Sequence, residues 1–316
     1  MAGAVGEVRR AVRAALRALP PAVRTAPVLV ACSGGADSLA LAAATAAEHD
    51  GVRAAVVDHG LQDGSAERAA AAVAVLDGLG VPAAAHPVVV DGPGGPEAAA
   101  RTARYAALRA ARPHPDAAVL LGHTLDDQAE TVLLGLGRGS GARSLAGMRP
   151  WDAPWCRPLL ELRRATTRAA CAELGLPVWD DPHNTDPRFV RVRLRHEVLP
   201  LLEDVLAGGV AAALARTAAQ LREDDDALDG LAGAALHRAG DPPDTAVLAG
   251  LPPAVRRRAL RRWLRGRDVR GCTDAQLRAA ERLARPGADR TGVALPGGLD
   301  LVRRDGRLDL APRHPP

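Results

Sequence analysis

The sequence predicts an α/β fold, a parallel-sheet domain followed by a smaller C-terminal α+β domain. Three observations carry that prediction. Short apolar runs alternate with Ala- and Leu-rich helical stretches through the first half of the chain. The first of these runs ends in a glycine turn, Ser33-Gly34-Gly35-Ala36-Asp37-Ser38, that opens a helix. Beyond about residue 215 the alternation gives way to helical stretches and then short strands, punctuated at Pro296-Gly297-Gly298 and Asp305-Gly306.

Val5 to Leu19 reads as an amphipathic surface helix. Pro27 to Val30 is the first strand, and Leu39 to Ala47, free of Pro and Gly, is the helix after the turn. Arg53 to His59 is a strand with a polar end, Ala66 to Leu79 a helix, and Ala83 to Val90 a strand. Glu97 to Ala111 is a helix and Ala117 to Gly122 an apolar strand. Gly135 to Pro158 is glycine-rich and reads as irregular, and Leu162 to Gly175 reads as a helix. Pro177 to Asp186 is a loop, and Arg191 to Leu206 a helix that ends before Gly208-Gly209. A long helix follows to about Arg238, Asp241 to Asp244 is a linker, and helices over Pro253 to Arg265 and after Thr273 precede the final strands. The domain division falls at 214/215, with a helical linker and substrate domain over 215–316.

Composition removes several classes. At 316 residues the chain is long enough for two cores. Lysine is absent, so the net charge of +4 is carried by arginine, which is compatible with a polyanionic partner. Cys32, Cys156, Cys171 and Cys272 are scattered without a Cys-x-x-Cys pair, which disfavours zinc ribbons and redox motifs and suits a reducing, cytoplasmic compartment. No apolar run approaches the roughly 18 residues of a membrane helix, so no membrane partner is expected. Oligomeric state is left open, a homodimer included.

The turn at 33–38 suits an anion at a helix N-terminus. Gly34 and Gly35 allow close backbone approach, and Ser33 and Ser38 add hydroxyl donors. Asp37 would repel a bare phosphate, but it makes sense as a ligand of a Mg²⁺ ion bridging phosphate oxygens. The ending is not Gly-Lys-Ser/Thr, which excludes a Walker A loop, and no Gly-x-Gly-x-x-Gly is present. Asp58, His59 and His123 end strands of the same sheet, so they converge on the same crevice.

Gly122-His123-Thr124-Leu125-Asp126-Asp127-Gln128-Ala129-Glu130-Thr131 leaves a strand and enters a helix. Asp126 and Asp127 lie four and three residues before Glu130, so the carboxylates share a face. Thr124 and Asp127 also fit a capping box, and acidic residues suit a first helical turn in any protein. At the end of a strand beside the phosphate loop, these carboxylates can hold Mg²⁺ or a cationic substrate. Arg101 and Tyr105 are helical neighbours, and with Arg104 they either face a ligand or form a solvated arginine pair beside a packed tyrosine. Arg257, Arg261 and Arg265 make one helical stripe flanked by Arg258 and Arg262, opposite Val255, Leu260, Trp263 and Leu264.

The loop resembles that of the N-type ATP pyrophosphatases (PP-loop enzymes), which cleave ATP between the α and β phosphates. Val57-Asp58-His59-Gly60-Leu61, Glu97 through Arg101 to Arg104-Tyr105, His123 to Thr131, Arg157-Pro158-Leu159-Leu160, Asp181-Pro182-His183-Asn184 and Arg191-Val-Arg193-Leu-Arg195 follow it in order. Over about residues 27–205 the chain resembles the tRNA(Ile)-lysidine synthases. The resemblance implies a ligase that adenylates C2 of the wobble cytidine (position 34) of the CAU-anticodon tRNA(Ile) with ATP. Free L-lysine then displaces AMP to form lysidine, switching codon reading from AUG to AUA. It implies that Ser33, Gly34, Gly35, Ala36, Asp37, Ser38, Asp58, His59 and His123 bind ATP, with Asp37 on Mg²⁺. Asp126, Asp127 and Glu130 would take the lysine amines, Asp37, Asp127 and Glu130 being catalytic. Arg101, Arg104, Arg191, Arg195, Arg257, Arg261 and Arg265 would face tRNA, and Tyr105 and Asn184 would have other site roles. A tRNA thiolase on the same loop and a non-catalytic nucleotide-binding module are the competing readings. The first lacks its usual cysteine pairs here, and the second needs no acidic cluster.

Overall fold

In the computed structural model, residues 3–60, 63–92, 95–139, 141–285 and 292–313 are described; Leu61 of the strand-end motif lies outside them. The chain divides into two compact units, Met1–Ala219 and Gln220–Pro316.

The first unit starts with α1 (Ala4–Ala18), whose Val8, Val12 and Leu16 are spaced to bury one stripe, and a short α2 (Pro21–Arg24). Then follow β1 (Val28–Cys32), α3 (Ala36–Ala46), β2 (Val52–Asp58), α4 (Ser65–Gly78), β3 (Ala83–Pro87), α5 (Pro96–Ala110), β4 (Val119–Leu121) and α6 (Leu125–Gly137). The segment expected to be irregular holds α7 (Ala142–Leu145) and a tight hairpin of β5 (Trp151–Asp152) and β6 (Trp155–Cys156). Two-residue strands carry no readable alternation, so the hairpin has no signature in the sequence. After α8 (Arg164–Glu173) and a 3₁₀ turn over Pro182–Thr185 come α9 (Val190–Arg193), a π-helical stretch over Leu194–Val198, and α10 (Leu199–Val205). The unit boundary falls within α11 (Val210–Ala239).

The sheet order is β3-β2-β1-β4-β6-β5, parallel except for the β5 edge. The strand order reverses between β1 and β4, which are hydrogen-bonded neighbours. At such a switch point the connections leave in opposite directions and open a crevice beyond the carboxyl ends of the strands. One face of the sheet packs on α3 and α4, with α1 and α8 against α3, around Val28, Val30, Leu39, Leu41, Leu76 and Leu120. α3 buries residues on nearly every side, which its Ala-rich sequence permits because small side chains let neighbouring backbones approach.

In the second unit, α12 (Thr245–Ala249), α13 (Pro253–Arg265) and α14 (Asp274–Leu283) share a core with the antiparallel sheet β7 (Val293–Leu295), β8 (Leu299–Arg304) and β9 (Arg307–Pro312). Leu248, Leu260, Trp263, Leu277, Leu301 and Leu308 form its centre. Among the described residues no single helix is long and apolar enough to cross a membrane.

Candidate active site

A cavity of about 890 Å³ lies at the switch point within the first unit, a size that suits a nucleotide-scale ligand. Its floor is the turn between β1 and α3. Gly34 sits at φ +80°, where a side chain would be strained, and its carbonyl accepts the Trp179 N–H at 3.0 Å. The Ser38 hydroxyl donates to the Gly35 carbonyl at 2.9 Å and accepts the Ser33 N–H at 3.1 Å, closing the loop on itself. Ser33, Gly35, Ala36, Asp37 and Ser38 all line the cavity, beside the N-terminus of α3. The end of β2 contributes Asp58, which accepts the Gly60 N–H at 3.0 Å, and His59; the end of β4 contributes His123. Burial, opposed by Asp127 and aided by nearby arginine charges, pushes the His123 imidazole down to about 3, so it is neutral at pH 7. Its Nδ1, like that of His59, is buried without a hydrogen-bond partner.

Asp127 has two duties. Its Oδ2 accepts the Thr124 N–H at 2.7 Å and the Thr124 hydroxyl at 2.8 Å, completing the capping box at the start of α6. Asp127 also lines the cavity, and its Oδ1 accepts a 2.7 Å bond from Arg164. Against burial, which favours the neutral form, Arg164 and the Thr124 N–H hold the Asp127 carboxyl below the usual carboxylate range. Glu130, one turn further on, is fully buried; Arg195 Nε donates to its Oε1 at 2.8 Å, and its Oε2 has no hydrogen-bond partner. Asp126 points elsewhere. It accepts the Arg164 backbone N–H at 2.7 Å and pairs with Arg163 at 3.0 Å, tying α6 to the start of α8.

Asp37 accepts from the Thr167 hydroxyl and lies 3.4 Å from Arg164 Nε. Burial raises its carboxyl pKa against the pull of both groups. Among the described residues no group of three or more His, Cys, Asp or Glu side chains could hold a metal. A single carboxylate beside an anion loop nevertheless fits Mg²⁺, which usually keeps one or two protein carboxylates and takes its other ligands from phosphates and water.

Arg104, half-buried with its Nε unpartnered, lines the cavity, as do Asn184 and Arg195. Arg101 lies over the Tyr105 ring at 4.7 Å and donates to its hydroxyl at 3.2 Å; Tyr105 packs edge-on against Trp155, its ring centroid 4.6 Å away. Arg191 stands 3.7 Å from Glu130. In the second unit, Val255, Leu260, Trp263 and Leu264 are buried. Two arginines of the flanking stripe are tied into that unit. Arg257 pairs with Glu281 at 2.8 Å, and Arg258 with Asp225 at 2.5 Å and Asp229 at 2.9 Å. Arg262 and Arg265 are exposed and Arg261 is half-buried.

Two family models match the chain, a PP-loop domain over residues 8–202 and a TilS substrate binding domain over 244–308. A tRNA(Ile)-lysidine synthase of Rhodococcus erythropolis is 56% identical over 96% of this chain and 94% of its own length. One from Mycolicibacterium paratuberculosis is 58% identical over 98% of this chain and 97% of its own. The chain belongs to the tRNA(Ile)-lysidine synthase family. It is therefore an ATP-using ligase. The U34-tRNA thiolase NcsA from Methanococcus maripaludis superposes with a TM-score of 0.57 at 20% identity, covering 70% of this chain and 80% of that one, a likeness of fold.

The sequence does not single out Arg164 and Trp179, which line the cavity, or Thr167, which donates to Asp37. The paired Arg163-Arg164 at the start of a helix is the available signal, and it does not say which carboxylate each arginine meets. Gly122 opens the acidic motif in the sequence and has a packing role in the structure. A Cβ there would stand 3.1 Å from the Asp37 carbonyl and 3.2 Å from the Ser38 N–H, backbone that cannot turn aside. Gly122→Ala is expected to cost about 1–3 kcal/mol of stability and to raise the KM for ATP more than that for lysine, read by thermal unfolding and steady-state kinetics.

Proposed function

We propose that the cavity at the β1–β4 switch point binds ATP and L-lysine side by side and joins the lysine to C2 of cytidine 34 in tRNA(Ile) bearing the CAU anticodon, forming lysidine and releasing AMP and pyrophosphate. The observation that carries this reading is one cavity lined both by an anion-binding loop and by an ionised carboxylate, Asp127, three residues before the buried Glu130. A polyphosphate and an ammonium need those two surfaces.

The backbone and hydroxyls of Ser33, Gly34, Gly35, Ala36 and Ser38 cradle the phosphates at the start of α3. Asp37 would hold Mg²⁺, which when bound offsets phosphate charge as pyrophosphate leaves. Asp58, His59 and the neutral His123 border the nucleotide, His123 offering a hydrogen bond without adding charge. Asp127 and Glu130 receive the lysine amines, and Asp126 supports them by anchoring α8. A buried ammonium needs such ionised, hydrogen-bonding partners. Arg104 and Arg195 on the cavity wall, with Arg101 beside Tyr105 and Arg191 beside Glu130, serve the tRNA end of the reaction, and Tyr105 and Asn184 shape the site. Residues 1–214 act as the ATP pyrophosphatase domain, and 215–316 as linker and tRNA-binding domain. There Arg261 and Arg265 are better placed for phosphates than Arg257, whose charge Glu281 already meets.

The thiolase reading gains nothing from the side chains. Cys32, Cys156 and Cys171 are buried, and all four cysteines are free. Purified protein with ATP–Mg²⁺ and radiolabelled lysine is expected to label CAU-anticodon tRNA(Ile) and not either tRNA(Met). No label in tRNA(Ile) from folded protein would overturn the assignment.

A further inference from the structure

The Arg164 guanidinium touches both halves of the site at once. Its Nε lies 3.4 Å from Asp37 Oδ2, while one terminal nitrogen donates to Asp127 Oδ1 at 2.7 Å and stands 3.7 Å from Glu130 Oε1. With Thr124 on Oδ2 and Arg164 on Oδ1, both Asp127 oxygens are engaged. An ammonium arriving at Oδ1 would meet a second cation at hydrogen-bond range. The two compete for one acceptor.

The backbone of Arg164 does not need to move for that competition to resolve. It is the first residue of α8, and its N–H is held by Asp126 at 2.7 Å. Only its side chain swings. The direction is set by what stands at its other end, because Asp37 belongs to the phosphate loop. Guanidinium binds phosphate oxygens in a two-point fork that a lone carboxylate oxygen does not match. A polyphosphate beside Asp37 therefore draws the guanidinium toward the loop and removes the hydrogen bond from Asp127 Oδ1, leaving Arg195 3.6 Å from that oxygen as its remaining cation and Glu130 Oε2 without a hydrogen bond.

We propose that Arg164 is a positioning residue that competes internally with lysine at Asp127 and is drawn away by ATP phosphates, so that lysine binding follows nucleotide binding. This rests on the reading that Asp127 and Glu130 receive lysine. Because coupling of two equilibria is reciprocal, lysine should tighten nucleotide binding by the same factor.

Calorimetric titration of lysine into the full-length protein tests it, without nucleotide and with saturating α,β-methylene ATP and Mg²⁺. The wild type is expected to bind lysine at least tenfold more tightly with the analogue. Arg164→Gln should gain at least tenfold in nucleotide-free lysine affinity and lose the analogue effect, while Arg164→Lys, which restores a cation, keeps part of it. Circular dichroism confirms folding, and the wild-type comparison stands even if Arg164→Gln does not fold. Equal wild-type lysine affinity with and without the analogue overturns the competition, as does a folded Arg164→Gln with unchanged nucleotide-free affinity. Asp127→Asn separates the two failures. If it leaves lysine affinity unchanged, the lysine site itself is misplaced. If it weakens lysine binding that is indifferent to nucleotide, only the competition fails.

Discussion

Asp37→Asn is expected to slow pyrophosphate release by roughly 10²–10³-fold, the usual loss when one preorganised charge is removed from a reacting anion. The side chain is near-isosteric: its amide oxygen can keep Arg164, and its N–H can donate to the Thr167 hydroxyl, which donates in turn to the Arg164 carbonyl, so the loop should hold its shape. What disappears is the only carboxylate on the phosphate loop, and with it the partner for a divalent ion. The measurement is tRNA-dependent pyrophosphate release without lysine, with circular dichroism as control for the fold. Normal release from the variant would remove Asp37 from the ATP chemistry.

Asp127→Asn should divide the reaction differently. The amide can still accept from Thr124 through one oxygen, so the α6 cap survives better than in an alanine variant. The negative charge facing the cavity is lost. Hydrogen bonds to a charged group contribute about 1.5–3 kcal/mol, which corresponds to roughly a 10- to 150-fold rise in the KM for lysine. Pyrophosphate release in the absence of lysine should change far less. A variant with unchanged lysine KM would show that the capping box is the whole role of this residue.

Much of this was legible in the residues. The Ser-Gly-Gly-Ala-Asp-Ser string marks a tight strand-to-helix turn, and the φ of +80° at position 34 is one that favours glycine. The Asp126–Glu130 spacing places acids at the start of a helix that leaves the sheet beside that turn. Both are local properties, set by neighbours within a few residues. The same local logic foresaw the arginine helix at Pro253–Arg265 and its buried side, yet not that Arg257 and Arg258 would be met by Glu281 and Asp225.

The sequence by itself determined which chemical groups stand at each strand end: a glycine turn with two serines and one carboxylate after β1, and carboxylates after β4. Tertiary structure alone decided how those groups are paired. Arg164 meets Asp127 across 37 residues of chain and Asp37 across 127, and Arg195 reaches Glu130 across 65. Charges so far apart carry no mark of their partners, because α8 is set against α3, and the π-helical stretch against α6, by packing and chain connection along whole elements. The burial that follows makes each pairing matter, since a carboxylate removed from water must find a cation or a proton. In this site Arg164 supplies that cation, held between Asp37 on the turn after β1 and Asp127 at the start of α6.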